Sequence, residues 1–201
     1  MGWALVANTA LWVIATGLVV IPRYPELLAE RLGPRKGGKT WDIAIMGLVG
    51  LGNIARCIVA GLDVRYGWTT GMPLALQVIG LVIMVLSYAL VVWATGSNAF
   101  FSLTVRIQQE RGHAVATPLK GVLGTGGPYR FVRHPSYVGG ILIEMAVPIM
   151  LGSWWALIPG GLDAILFVVR TALEDRTLQK ELDGYTAYAE RTRYRLLPGV
   201  W

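Results

Sequence analysis

The sequence predicts an all-α integral membrane protein of about five transmembrane helices. The last two form a short helical hairpin, and a polar C-terminal segment follows on the cytoplasmic side. Three observations carry this. Apolar residues make up 54% of the 201 residues and charged residues 15%, against about 25% charged in an ordinary soluble domain. The mean hydropathy is +0.53, and the apolar residues fall into blocks. The basic residues between those blocks alternate between rich and poor segments.

The blocks follow in order. Trp3–Ile21 carries no charge, Ile43–Leu62 carries only Arg56, and Met72–Ala94 is uncharged. Each approaches or exceeds the roughly 20 helical residues needed to cross about 30 Å of hydrocarbon. Tyr137–Leu151 and Trp154–Val169 are shorter and are separated by Gly152-Ser153. They read as the two arms of the hairpin. The start Met1-Gly-Trp-Ala lacks a basic region, and Pro22-Arg23 offers no small-residue cleavage site. The first block therefore reads as an uncleaved span. Val6 stands where a myristoylation pattern needs Ser or Thr.

Residues 22–40 hold five Lys/Arg, 63–71 one, 95–134 five, the hairpin tip none and the chain from Arg170 six. Five crossings require this alternation, and the positive-inside rule then places the N-terminus outside and the C-terminus in the cytoplasm. The net charge of +6 is largely this topology signal, not a nucleic-acid footprint, because the cations are divided among segments that flank helices. One cysteine, Cys57, excludes an internal disulfide. With only His113 and His134 beside it, no zinc site is expected.

Two polar regions, 95–136 and 170–201, are brought to one membrane face by the hairpin. The first ends in Gly127-Pro-Tyr-Arg-Phe-Val-Arg-His-Pro-Ser-Tyr137, with two arginines, a histidine and two tyrosines against an apolar run. Taken alone, His134 and Tyr137 would read as interfacial residues. The second region starts as a weakly amphipathic helix from Arg170, which Gly184 ends. Tyr185, Tyr188 and Tyr194 follow, interleaved with Arg191, Arg193 and Arg195. Arg170 and Glu174 are four apart on one helical face. They suit either an ion pair that closes a span or a charged pair aimed into a cytoplasmic pocket. Within the blocks, Glu144 suits either a pocket role or a protonated structural one. Arg56, one turn after Asn53, suits pairing across helices.

These elements resemble the isoprenylcysteine carboxyl methyltransferase family and its phospholipid-methylating relatives. The family pairs Arg-His-Pro-x-Tyr with Arg-x-x-x-Glu and a Gly-x-x-Tyr-x-x-Tyr tail. Here stand Arg133-His-Pro-Ser-Tyr137, Arg170-Thr-Ala-Leu-Glu174 and a variant Gly184-Tyr-Thr-Ala-Tyr188. Arg106-Ile-Gln-Gln-Glu-Arg-Gly-His113 resembles the entry to the same module in bacterial members. The resemblance covers about residues 100–201. It divides the chain into N-terminal membrane helices, 1–99, and a methyltransferase module, 100–201, in a bacterial or archaeal cytoplasmic membrane.

What the resemblance implies is methyl transfer from S-adenosylmethionine without a Rossmann domain. Gly121, Gly124, Gly126 and Gly127 do not form G-x-G-x-x-G after a strand. They are expected to let backbone approach the cofactor. Cofactor contacts are expected from Gly127, Tyr129, Arg133, His134, Pro135, Tyr137, Glu174, Tyr185 and Tyr188, with Arg170 and Glu174 catalytic. The acceptor is a lipophilic or prenylated molecule entering from the bilayer. A carboxylate nucleophile needs a positioning cation, for which Arg170 is the candidate. An amine nucleophile needs a base, Glu144 or Glu174. Carboxyl O-methylation of an isoprenylcysteine-like molecule is the first expectation and phospholipid N-methylation the alternative. Membrane sterol-type reductases, which take a nicotinamide cofactor, end in a similar module but usually have more spans.

Overall fold

A computed structural model describes all residues except 24, 26–36, 99, 103 and 108–125. Arg31, Arg35, Lys36, Arg111, His113, Lys120, Gly121 and Gly124 lie outside the described residues. Among those described there is no strand. The helices are α1 (Gly2–Arg23), α2 (Thr40–Tyr66), α3 (Leu74–Gly96), α4 (Pro135–Leu151), α5 (Leu157–Glu181) and α6 (Tyr185–Arg191), with a 3-10 turn at Gly127–Arg130 before α4. α1, α2 and α3 are long and apolar enough to cross a membrane, and α4 is a shorter apolar helix. They correspond to the first four apolar blocks.

The fifth block differs from expectation at both ends. Residues 154–156 are still in the turn, so α5 starts at Leu157. It then runs 25 residues without a break, through Arg170 and into what the sequence suggested was a separate tail helix. The reason is compositional: after Gly160-Gly161 no glycine or proline occurs until Gly184. One rod thus carries an apolar half in the bundle and a polar half beyond it. Anything fixed to its polar end is fixed relative to the membrane helices.

Small residues set the packing. α3 packs chiefly on α4, and α5 packs on both α4 and α2. A Cβ on Gly80 would lie 2.7 Å from the Met150 backbone nitrogen, and one on Gly139 would lie 2.9 Å from the Ser87 carbonyl. A Cβ on Gly160 would lie 2.4 Å from the Glu144 carbonyl. Helices in lipid associate by such close approach, since apolar burial between them gains little over lipid contact.

The buried face of α2 repeats every seven residues: Asp42, Val49, Arg56 and Asp63 are all buried. Its polar members make ties at three depths. Asp63 accepts from the Thr69 backbone N–H at 2.5 Å and hydroxyl at 2.6 Å, and from the Ser153 hydroxyl, joining the α2–α3 loop to the hairpin tip. Arg56 pairs with Glu144 of α4, the cross-helix pairing expected for it. Asp42 holds Arg170 of α5, with its Oδ1 2.6 Å from the arginine Nε. Tyr66, Trp68 and Trp155 cluster beside the tip, with ring centroids 5.8 and 6.5 Å apart, an aromatic belt as found where helices meet the membrane surface.

Gly80→Leu, which forces backbone apart at the α3–α4 contact, should cost about 1–3 kcal/mol and lower the unfolding temperature in detergent. Gly61→Ala, where a Cβ meets nothing within 4 Å, should leave that temperature unchanged within measurement error.

Candidate active site

Two stretches build the site. The first surrounds the 3-10 turn. Gly127 takes φ 58°, a left-handed value that favours glycine. A Cβ there would sit 2.6 Å from Ser97 Oγ, so the turn lies directly against the end of α3. Tyr129 is buried, and its carbonyl accepts from the Tyr188 hydroxyl at 2.8 Å. Pro135 opens α4, where its missing N–H leaves no helical bond unmade. His134 is thereby held just before the helix, and Tyr137 is the third residue of its first turn.

The second stretch is the polar half of α5 with the chain beyond it. Asp175 is fully buried and surrounded by donors. Arg133 gives it Nε at 2.8 Å and Nη2 at 3.0 Å. Arg195 Nε reaches it at 2.7 Å, the Tyr185 hydroxyl at 2.9 Å and Gln179 Nε2 at 2.8 Å. His134 Nε2 lies 3.3 Å away. Arg133 Nη1 also donates to the carbonyls of Ala189, Thr192 and Arg193, at 3.3, 2.9 and 2.9 Å. The backbone N–H groups of Arg133 and His134 donate to the carbonyls of Tyr194 and Arg195 at 2.9 and 3.0 Å. The chain after α6 thus lies alongside the Arg-His-Pro segment, with Asp175 beneath both.

Electrostatics follow from this geometry. Burial alone would push the Asp175 carboxyl up, but hydrogen bonds from His134, Arg195 and Arg133 outweigh it and hold the carboxyl well below the usual range. Burial, reinforced by the Asp175 charge, pushes the Tyr185 hydroxyl up, and burial does the same to Tyr188. Both stay protonated and act as donors.

Above this base the His134 and Tyr137 rings lie parallel, with centroids 5.6 Å apart and planes within 1°. The Tyr137 hydroxyl donates to Glu174. The Arg170 guanidinium sits over the Tyr137 ring at 5.0 Å and gives Nε and Nη2 to Asp42 at 2.6 and 3.3 Å. Asp42 also accepts from the Val105 backbone N–H at 2.8 Å. Both ends of the Arg170–Glu174 motif therefore take partners from other helices.

Two clefts meet here. A polar one of about 660 Å3, counted to its open mouth, is lined by Tyr129, His134, Tyr137, Glu174, Tyr185 and Tyr188, with Asn98, Phe101, Thr104 and Arg106 on its far wall. A more apolar one of about 740 Å3 runs between the helices past Tyr88, Ile143 and Phe167, with Arg56, Glu144 and Arg170 on its wall. Phe101, Ser136 and Tyr137 line both.

Residues 75–183, from α3 through α5, match the family model described as phospholipid methyltransferase. The chain belongs to the phospholipid methyltransferase family. No curated protein sequence matches it significantly. The family match, on helices of this length and apolarity, makes the protein a membrane methyltransferase. The matched segment contains His134, Tyr137, Arg170, Glu174 and Asp175. It leaves out Asp42, which holds Arg170, and Tyr185 and Tyr188, which close the polar cleft.

The structure brings the expected site residues to one place, but it distributes their tasks. Tyr137 lines both clefts and bonds Glu174 on the polar side, with His134 stacked against it. Gly127 and Pro135 shape the chain that presents them. Arg133 has its guanidinium engaged by Asp175 and three carbonyls. Asp175 and Asp42 were not singled out from the sequence. Asp175 had one signal, an acidic neighbour of Glu174 on the polar half of a helix. Asp42 had none beyond its place at the edge of an apolar block.

Asp175→Ala should destabilise the protein by about 3–5 kcal/mol, because it leaves buried arginines without their counter-charge. A depressed folded-state carboxyl contributes stability that is complete above the unfolded value of about 3.9 and is lost only as pH falls through the folded one. The stability gap between wild type and variant should thus stay flat from pH 8 to pH 5. Thermal unfolding in detergent across that range measures it.

Proposed function

We propose that the protein transfers a methyl group from S-adenosylmethionine to the polar head of a lipophilic acceptor. The cofactor occupies the polar cleft, and the acceptor reaches it from the bilayer through the apolar one. The observation that supports this best is that the two clefts share a wall at Phe101, Ser136 and Tyr137, with Glu174 on the polar side, bonded to the Tyr137 hydroxyl. The residues fit the cofactor: Glu174 suits its ammonium or ribose hydroxyls, and the parallel His134 and Tyr137 rings offer an aromatic face. When bound, the cofactor supplies an already activated methyl group. The chain's own part is to orient the acceptor in line with that group and to keep water away.

The nature of the nucleophile turns on Arg170. The sequence makes Arg170 the candidate cation for positioning a carboxylate. Asp42 supplies its counter-charge, so a substrate carboxylate would have to compete with Asp42. This favours an amine head, as in phospholipid N-methylation. Carboxyl O-methylation of an isoprenylcysteine-like molecule keeps one supporting observation: Arg170 lines the acceptor cleft. The alternation of basic segments supports a cytoplasmic location for this end of the bundle and the C-terminus.

Glu174→Gln should weaken S-adenosylmethionine binding about tenfold or more, a loss in line with removing a charged hydrogen-bond partner, read by calorimetry on solubilised protein. Tight binding of a nicotinamide nucleotide with none of S-adenosylmethionine would instead indicate a reductase. Arg170→Lys should lower turnover more than cofactor affinity, since it keeps the charge and loses the forked geometry.

The product's behaviour in mild base separates the acceptor chemistries. An N-methylated head is stable, whereas a carboxyl methyl ester releases methanol. Methanol release from the main product would overturn the amine assignment. A C-terminal reporter active only outside the cytoplasm should stay silent.

A further inference from the structure

The Arg56–Glu144 pair lies in the apolar part of the bundle, away from the residues assigned to methyl transfer. Arg56 is 4% exposed and Glu144 likewise 4%. Arg56 gives Nη1 to Glu144 and Nη2 to Asn53 Oδ1, the latter at 2.5 Å. Asn53 in turn points its Nδ2 at Glu144, 3.4 Å away. Arg56 Nε is buried and has no partner among the described residues. A buried ion pair in a membrane is seldom more stable than apolar side chains of similar size. The helices already have their close contacts at Gly80, Gly139 and Gly160 and their ties at Asp42 and Asp63. An orphaned guanidinium N–H adds a desolvation cost that an incoming acceptor atom would relieve.

Position and charge say what that acceptor is. Asn53, Arg56 and Glu144 all line the apolar cleft. Glu144 follows Tyr137 by seven residues on α4, two helical turns or about 10 Å deeper in the bundle. An anion is a poor match there, since Glu144 already faces Arg56. In addition, the buried Asp163 of α5 lies against Gly52, where a Cβ would come within 2.1 Å of its Oδ1. With two carboxylates near one guanidinium, a neutral oxygen fits and a phosphate or carboxylate does not.

We infer that Arg56, held by Glu144 and Asn53, is a second recognition point in the acceptor cleft, and that it takes a carbonyl oxygen carried by the acceptor about 10 Å from the atom that is methylated. This rests on reading the apolar cleft as the acceptor's path. An ester-linked glycerolipid carries such a carbonyl near that distance from its head. A hydrocarbon isoprenyl tail carries none.

The test compares two photoactivatable two-chain lipids with the same head, one ester-linked and one ether-linked, on the full protein in nanodiscs. The ester lipid should label peptides around Gly140 and Phe167 with about tenfold higher affinity, the value of one charged hydrogen bond. Arg56→Lys, which keeps the charge and loses Nε, should erase that preference. So should Arg56→Met/Glu144→Met, which leaves neither member of the pair unpaired, while S-adenosylmethionine binding and thermal unfolding show both variants folded. Equal labelling of wild type by both lipids, or a preference that survives in the variants, would overturn the inference and leave the pair a structural tie. Methyl transfer that persists without any ester preference sinks this inference alone. Ester preference without methyl transfer to any lipid sinks the functional reading alone.

Discussion

Asp175 is the charge on which the polar end of the molecule depends. Arg133 and His134 reach it from the chain before α4, Tyr185 from α6 and Arg195 from the chain beyond. None of these segments has an extensive apolar core to hold it. Leu182, Tyr185 and Tyr188 form only a small buried cluster. A buried carboxylate is costly on its own, and the surrounding donors more than offset that cost. The carboxylate's place is in turn set by α5, which runs unbroken from the hairpin. Membrane packing therefore determines where the tail can dock, through one rigid helix.

The same logic extends into the bilayer. α2 carries an acid, an arginine and a second acid along its buried seven-residue repeat, and each has a partner on a different element. Asp42 meets Arg170 on α5, Arg56 meets Glu144 on α4, and Asp63 meets the hairpin tip. In lipid, where apolar faces discriminate poorly among neighbours, polar ties of this kind fix register and rotation as well as proximity. The glycines set how close the helices come, and the charges set which faces meet. Arg170 illustrates the consequence for chemistry. Its charge is real, but its direction and its balance are decided by a residue 128 positions away.

Much of this was legible in the sequence. Apolar block length showed the membrane helices, and Gly152 marked the hairpin tip. The Arg-His-Pro-Ser-Tyr and Arg-Thr-Ala-Leu-Glu elements marked the two stretches that meet. What could not be read were the partners. Spacing shows that Arg170 and Glu174 share a face; it does not show that Asp42 lies opposite one and Tyr137 opposite the other. Asp175 was overlooked because its worth lies in donors from three distant segments. The break between hairpin and tail was placed at a change in polarity, whereas a helix ends where backbone chemistry ends it, here at Leu182–Gly184.

The docking of residues 194–195 against 133–134 also orders the birth of the molecule. Each of α1 to α4 can enter the bilayer as it leaves the ribosome, since their backbone bonds are satisfied internally. The wall of the polar cleft cannot exist until α5 has formed and α6 with the chain beyond it has followed. For that interval the nascent chain has the helices that line the apolar cleft and lacks the wall of the polar one. The pocket is finished last, and only around a hairpin that has already inserted correctly. Assembly order itself then acts as a check on topology.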